Sequence, residues 1–267
     1  MALHFANPVA TCKAFCANFG ALSRNSLISD FSYSGTELDA VAEATNYYDW
    51  VVGSFTGAFG KRVVEAGAGI GTVSQLILDR AAPKELLLVE PARNNVPALR
   101  RRFSGDPRVR IVEGYLEEIG RSSTADTVIA INVMEHIARD ADFLRAAFRT
   151  LSGDGTLLLL VPAVPAIYGS LDRAFDHYRR YSKSGLRNLL LDAGFQIERL
   201  DYLNLIGVIA WFFSGVILRR KTLSRSQVRF YDRFVIPWLR AFESRIHPPI
   251  GQSLLVIARK PATRVAR

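Results

Sequence analysis

The chain has 267 residues, 49% of them hydrophobic, which suits one α/β domain with a large core and an elaborated cap. Its two cysteines, Cys12 and Cys16, are too few for a structural zinc site, and no resident metal is expected. The net charge of +9 suits an anionic partner (nucleic acid, a membrane surface or a phosphorylated substrate) and equally a plain solvated surface.

In chain order, residues 1–29 carry no acid and only Lys13 and Arg24 as cations, with no continuous apolar run of the secretory kind. Residues 1–46 are expected to form an N-terminal helical lid or a loose tail, with an organelle transit peptide as the alternative. The cysteines read as reduced apolar residues of a cytoplasmic protein. Helical spacing of Leu38, Val41, Ala42, Tyr48 and Val51 predicts a helix over Glu37–Gly53.

Short apolar runs then alternate with helical stretches. Strands are predicted at Val63–Ala66, Leu86–Glu90, Arg110–Glu113, Thr127–Ile131, Thr156–Val161, Gln196–Tyr202 and Ser253–Arg259. Helices are predicted at Thr72–Arg80, Asp140–Leu151 and Lys183–Ala193. Such alternation implies a doubly wound parallel sheet, which binds ligands at the carboxyl ends of its strands. Glu65, Glu90, Gly114 and Asn132 all fall at those ends.

The first strand ends in Glu65 and runs into Gly67-Ala-Gly69-Ile-Gly71, with a helix opening at Thr72. Glycines there permit a tight turn and close approach to a ligand, and the helix start offers unpaired N–H groups. The third glycine comes one place early for a dinucleotide fingerprint, and no lysine follows as a phosphate loop requires. The second strand ends in Glu90, followed by Pro91, and a carboxylate at that place can accept from both hydroxyls of a ribose.

About fifty residues separate the sixth and seventh strands, far more than a hairpin needs, so residues 203–250 are expected to form a helical cap. Leu203–Leu218 is almost wholly apolar, with Trp211 at its centre and Arg219, Arg220 and Lys221 behind it. It is short for a membrane span, which leaves a buried helix or an interfacial one with a basic edge. Val228–Ile246 interleaves aromatic and arginine residues, as a lipid- or nucleic-acid-binding helix does and as any helix with one core stripe and one solvated stripe does.

These motifs resemble the class I S-adenosylmethionine-dependent methyltransferases. The acid and G-x-G-x-G of Glu65 to Gly71 look like the family's first motif, and Glu90 matches its second-strand acid. Ala125 to Ile137, with Asn132-Val-Met-Glu-His136, is similar to the fourth-strand motif of the ubiquinone/menaquinone-biosynthesis group. Leu151-Ser-Gly-Asp-Gly155 is similar to the turn before the fifth strand. The resemblance runs from Tyr47 to the C-terminus. It implies a seven-stranded Rossmann-like sheet with its last strand antiparallel, a core over residues 47–202, and a final strand and tail over 251–267.

The resemblance also implies S-adenosylmethionine as cofactor, held by Tyr47, Glu65, Gly67, Ala68, Gly69, Thr72, Glu90, Pro91, Gly114, Tyr115, Leu116, Asn132 and Val133. Gly114-Tyr115 departs from the family's usual Gly-Asp, so Tyr115 stands where an aspartate commonly meets adenine. Substrate-facing residues are expected in the polar segment Tyr168–Ser182. His177 is the first candidate for a general base, because histidine titrates near neutral pH, and His136 is the second. Tyr178 is assigned with them to catalysis, and Asp172 and Asp176 are further carboxylate candidates. Tyr168, Tyr181, Arg180 and Trp211 are expected to hold the substrate. The alternative for His177 and Arg180 is that they bond the backbone and fix the loop.

The large apolar cap favours methylation, at oxygen or carbon, of a small or lipid-like acceptor such as an isoprenoid, a quinone-like ring or an aromatic natural product. Peripheral membrane contact accompanies that reading. The alternatives are a nucleic-acid methyltransferase, which the absence of N/D-P-P-Y/F after the fourth strand disfavours, and a non-catalytic cofactor-binding subunit at a membrane.

Overall fold

A computed structural model of the protein describes residues 42–119 and 124–262. The expectations for Cys12, Cys16 and most of the N-terminal lid lie outside these residues. Helix α1 (Thr45–Gly53) leads into β1 (Arg62–Ala66), α2 (Thr72–Arg80), β2 (Glu85–Glu90), α3 (Val96–Arg102) and β3 (Val109–Glu113). Then come β4 (Ala125–Ile131), α4 (Asp140–Thr150), β5 (Leu151–Pro162), the short α5 (Ser170–Ala174), α6 (Lys183–Asp192) and β6 (Gln196–Leu203). The cap holds α7 (Leu205–Trp211), α8 (Arg225–Phe230) and α9 (Ile236–Glu243), and β7 (Ser253–Arg259) closes the sheet.

The sheet has seven strands in the order β3-β2-β1-β4-β5-β7-β6, and β7 runs antiparallel to both its neighbours. Connections diverge between β1 and β4, so the crevice that such a sheet offers to ligands opens above those two strands. Apolar side chains alternate along each strand and feed two cores. On one face Phe143 and Leu144 of α4 and Leu186 and Leu190 of α6 pack against Val64, Val128, Leu159 and Val256. On the other, Trp50 and Val51 of α1, Ile77 of α2, Leu99 of α3 and Leu239 of α9 cover Val63, Leu88, Ile129 and Leu158. A sheet covered on both sides needs the near-continuous apolar runs seen in the sequence.

Among the described residues the predicted first helix is helical only from Thr45, with a turn ahead of it. The reason lies in the cap. The Asp232 carboxylate accepts from the backbone N–H of Asn46 (3.0 Å) and of Tyr47 (2.8 Å), so an acid sits where a helix start has unpaired donors. Glu243 does the same for α7, accepting from the N–H of Asn204 (3.0 Å) and Leu205 (2.8 Å).

Two wide turns interrupt the helical run of the cap. Phe212–Ile217 continues α7 as a π-helix, and Tyr231–Val235 links α8 to α9 in the same way. The second π-turn lies just before Pro237, which has no N–H to give to the preceding turn, and a widened turn is one remedy. Among the described residues, no helix is long and apolar enough to cross a membrane.

Candidate active site

The glycine loop explains its own composition. Gly67, Gly69 and Gly71 have φ of 71°, 57° and 87°, in the left-handed region that side chains disfavour. A Cβ on Gly67 would lie 2.5 Å from Cγ2 of Val133, so the loop and the end of β4 touch through a missing side chain. Glu90 clamps this loop from behind. Its carboxylate accepts from the N–H of Gly69 (2.7 Å), the N–H of Ala92 (3.0 Å) and Nδ2 of Asn95 (3.2 Å). Burial pushes the Glu90 pKa upward, and those three donors oppose the shift.

Above the loop lies a cavity of about 590 Å³, in the range of small-ligand sites. The structure gathers many of the expected residues around it: Tyr47, Glu65, Gly67, Ala68, Gly69 and Thr72 on one side, and Asn132, His136, His177, Arg180 and Trp211 on the other. Others fall elsewhere. Val133 supports Gly67 without lining the cavity, and Pro91 follows Glu90 behind the loop. Leu116 is core. Gly114 folds over the Glu118 carboxylate, and Tyr115 faces a separate surface depression with Glu117, Ile137 and Arg139.

The catalytic and substrate candidates divide in the same way. Tyr178 is 61% exposed beside the Arg179 guanidinium and does not reach the cavity. Tyr168 gives its hydroxyl to the His177 carbonyl (2.7 Å), and Tyr181 gives its own to the Met134 carbonyl and the Asp140 carboxylate (3.2 Å each). Both therefore brace loops. Asp176 takes a left-handed turn, and its carbonyl accepts from the His136 ring.

Asp172 organises the far wall. Fully buried, it accepts from Nδ1 of His177 (3.1 Å), Nε of Arg180 (2.7 Å), Nε1 of Trp211 (3.0 Å) and the N–H of Gly169 (2.9 Å). These donors outweigh the desolvation that would raise its pKa and hold it down at about 2. Asp172 is thus spent as an acceptor rather than poised as a base. Arg180 is likewise committed: it also donates to the Ala163 carbonyl (2.6 Å) and lies 4.7 Å from the centre of the Trp211 ring. Its position fits the fixing of this loop, the alternative drawn from the sequence.

Two cavity carboxylates stand apart. Glu65 is 4% exposed and has one oxygen without a hydrogen-bond partner. Burial pushes its pKa up to about 8, with Ser74 opposing and the Glu90 charge adding to the rise. Glu135 is 1% exposed with neither oxygen partnered. Burial pushes it up to about 7 against the pull of His177 and Arg180. Sequence reasoning passed over Glu135 in favour of its neighbour His136. The available signal was an acid set between Met134 and His136 at the end of a buried strand, where a solvated carboxylate has no place.

S-adenosylmethionine fits this donor set. A glycine loop without Cβ atoms admits a nucleoside close to the backbone, and Glu65 offers an unpartnered carboxylate to a cationic aminoacyl end.

Comparison with known proteins agrees with the architecture. The chain is 30% identical over 136 residues to the "probable S-adenosylmethionine-dependent methyltransferase" of Mycobacterium tuberculosis strain H37Rv, a match covering 50% of this chain and 48% of that one. A Mycolicibacterium smegmatis protein with the same description is 31% identical over 142 residues, covering 52% and 53%. The chain spans about half the length of the curated relatives it matches.

Among solved structures, an S-adenosylmethionine-dependent methyltransferase from Mesorhizobium loti superposes with a TM-score of 0.54 at 16% identity, over 83% of this chain and 99% of that one. A Haemonchus contortus phosphoethanolamine N-methyltransferase, holding phosphomonomethylethanolamine and S-adenosylhomocysteine, gives 0.59 at 16% identity over 86% and 58%. These likenesses concern the fold. Residues 53–200 match the family described as "Methyltransferase domain", and the chain belongs to that family.

Proposed function

We propose that the protein transfers a methyl group from S-adenosylmethionine to a hydrophobic acceptor that reaches the cavity from a lipid surface. One observation carries the reading: a glycine loop and an unpartnered buried acid at one end of a single cavity, and the Glu135, His136 and His177 cluster at the other. When bound, the cofactor supplies a methyl already activated on a positively charged sulfur. The chain's own task is alignment, exclusion of water and management of one proton.

The loop from Gly67 to Thr72 seats the nucleoside, with Asn132 and Tyr47 on the walls beside it. Glu65 pairs with the cationic end. The acceptor's nucleophilic atom comes to the cluster, whose groups lower the cost of removing its proton. Held by residues 67–72, Glu65 and Tyr47, the cofactor would supply the electrophilic methyl and its sulfur would keep the electron pair of the bond given up. Residues of α8 and the following turn, including Gln227, Phe230 and Tyr231, close the cavity from above and keep water out.

Calorimetry with S-adenosylmethionine and S-adenosylhomocysteine tests the cofactor. Binding is expected to release a proton, because Glu65, with a folded-state pKa of about 8, must ionise against the cation. Affinity should therefore rise between pH 6 and 9, and Glu65→Gln should abolish the pH dependence. The same group makes the ligand-free protein lose stability as pH climbs from the ordinary carboxylate range through about 8, since its raised pKa favours the folded state most at low pH. Failure of both compounds to bind folded protein would end the reading.

The cap supports a lipid-like acceptor. Residues 203–250 carry eight lysines and arginines against two acids, and both acids, Asp232 and Glu243, are buried at helix starts. The exposed face is therefore basic. It is also apolar: Phe230, Phe234, Trp238 and Phe242, spaced four apart, are all more than half exposed, and Phe213 and Ile217 join them from the other cap helix. Exposed aromatics among cations suit an anionic bilayer surface. Vesicles containing anionic lipid should sediment the protein. Trp238→Ser with Phe230→Ser should weaken that binding at least about tenfold, as expected for loss of two interfacial side chains. Unchanged sedimentation would remove the membrane from the proposal.

A further inference from the structure

We propose that Glu135, His136 and His177 bind one divalent ion of the first transition row, zinc in the simplest case, at the acceptor end of the cavity. Each residue offers one ligating atom, and the three atoms lie within 4.8 Å of one another. All three residues line the cavity.

The protonation pattern is what makes this a site rather than a coincidence of neighbours. His177 lies with Nδ1 3.1 Å from Oδ1 of Asp172. The Asp172 carboxylate also accepts from an arginine, an indole and a backbone N–H, so it has no proton of its own to give. The hydrogen in the His177 bond therefore sits on Nδ1, which leaves Nε2 as the nitrogen available to a ligand. The His136 ring bonds the backbone carbonyl of Asp176, an acceptor, so one nitrogen of that ring also carries a hydrogen and the other a lone pair. The two rings meet edge to face with centroids 4.8 Å apart. A histidine that donates one N–H to a carboxylate or carbonyl is held as supporting groups hold metal ligands.

Glu135 supplies the independent mark. It is 1% exposed, lines the cavity, and neither of its oxygens has a hydrogen-bond partner. Leaving a buried carboxylate without a side-chain hydrogen bond is costly, and the nearby Arg180 is already committed to Asp172 and the Ala163 carbonyl. A cation placed among the three satisfies all of them at once.

Two imidazoles and one carboxylate suit zinc, cobalt, iron or manganese better than calcium or magnesium, which prefer all-oxygen shells. Bonds of about 2.0–2.2 Å in a tetrahedron would draw the three atoms to roughly 3.3–3.6 Å of one another, a contraction of about an ångström or more that side-chain rotation must supply. Three protein ligands leave coordination positions open, as in catalytic rather than structural metal sites.

The catalytic use of the ion rests on the methyl-transfer reading, whereas its binding does not. A hydroxyl of the acceptor in an open position would become more acidic. Its proton would pass to the Glu135 oxygen not engaged by the ion, and the oxygen would attack the methyl carbon. The acceptor class thereby narrows to hydroxyl-bearing hydrophobic molecules.

The test uses the full chain, stripped with a chelator and titrated with Zn2+ by calorimetry and with Co2+ by visible absorption. One ion per chain is expected, with cobalt bands reporting nitrogen ligation. Glu135→Gln and His177→Asn should each weaken binding at least about 100-fold, more than loss of a supporting group does. Circular dichroism and a cooperative thermal transition of the same variants serve as the check that they fold. Absence of saturable binding in the parent protein, or equal affinity in folded variants, would overturn the site. Ion binding without cofactor binding would overturn the methyl-transfer reading and leave the ion in place.

Discussion

Replacing Asp172 with alanine should destabilise the protein by about 3–5 kcal/mol, the cost typical of stranding a buried charge. The Arg180 side chain is 1% exposed and depends on Asp172 for its only carboxylate partner among the described residues. Trp211, His177 and Gly169 would each lose an acceptor in the same step. Domains are rarely stable by more than about 5–15 kcal/mol, so the loss should be plain in urea titration. A companion variant separates charge from shape. Asp172→Leu combined with Arg180→Met removes both ions and should recover much of the stability, because apolar replacements of buried pairs are often neutral. It should not recover the methyl transfer proposed above, since His177 would still lack the carboxylate that orients its ring. The depressed pKa adds a pH signature: the contribution of Asp172 is present above the ordinary carboxylate range and lost as pH falls through about 2. An Asp172→Ala protein that unfolds at the parental urea concentration would refute the assignment of Asp172 as the organising group.

Gly67→Ala should weaken S-adenosylhomocysteine binding by about 30-fold or more. Two costs combine. A side chain at φ 71° carries roughly 1–2 kcal/mol of backbone strain, and the new methyl would lie 2.5 Å from Val133, which must move or push the loop aside. The second cost is removable. In Gly67→Ala with Val133→Ala the overlap disappears and only the strain remains, so affinity should recover to about 5- to 30-fold below the parent. Gly105→Ala is the control, for that position is open and its substitution should leave binding unchanged. If the single and double variants bind equally, contact between the loop and β4 is not what shapes the site.

Much of this was legible in the residues. Apolar runs located the five inner strands, because a sheet buried on both faces tolerates few polar residues, and the partly exposed edge strands β3 and β6 were found from β-rich stretches at the expected spacing. The glycine loop was legible because left-handed φ values leave few other residues available. The acids and aromatics of the loops were not. Tyr178 and Arg180 lie two places apart, yet one faces solvent and the other is sealed under Trp211. Asp172 read as a candidate base, and only its distant donors, from Gly169 to Trp211, show it to be spent. In loops a side chain's direction follows from tertiary bonding rather than from a local period, so the sequence marks the segment and not the residue. Asp232 and Glu243 illustrate the same limit: each serves a helix start far away in the chain.

The seam where the cap joins the sheet has a consequence for the cap. Leu203, the last residue of β6, pairs directly with Ser253, the first of β7, so the excursion leaves and re-enters the barrier between core and solvent at one point. Lengthening such a detour adds little closure entropy, because that term grows only with the logarithm of its length. The fold therefore tolerates a cap of very different length or sequence at this seam without disturbing the pairing of the two strands beneath it.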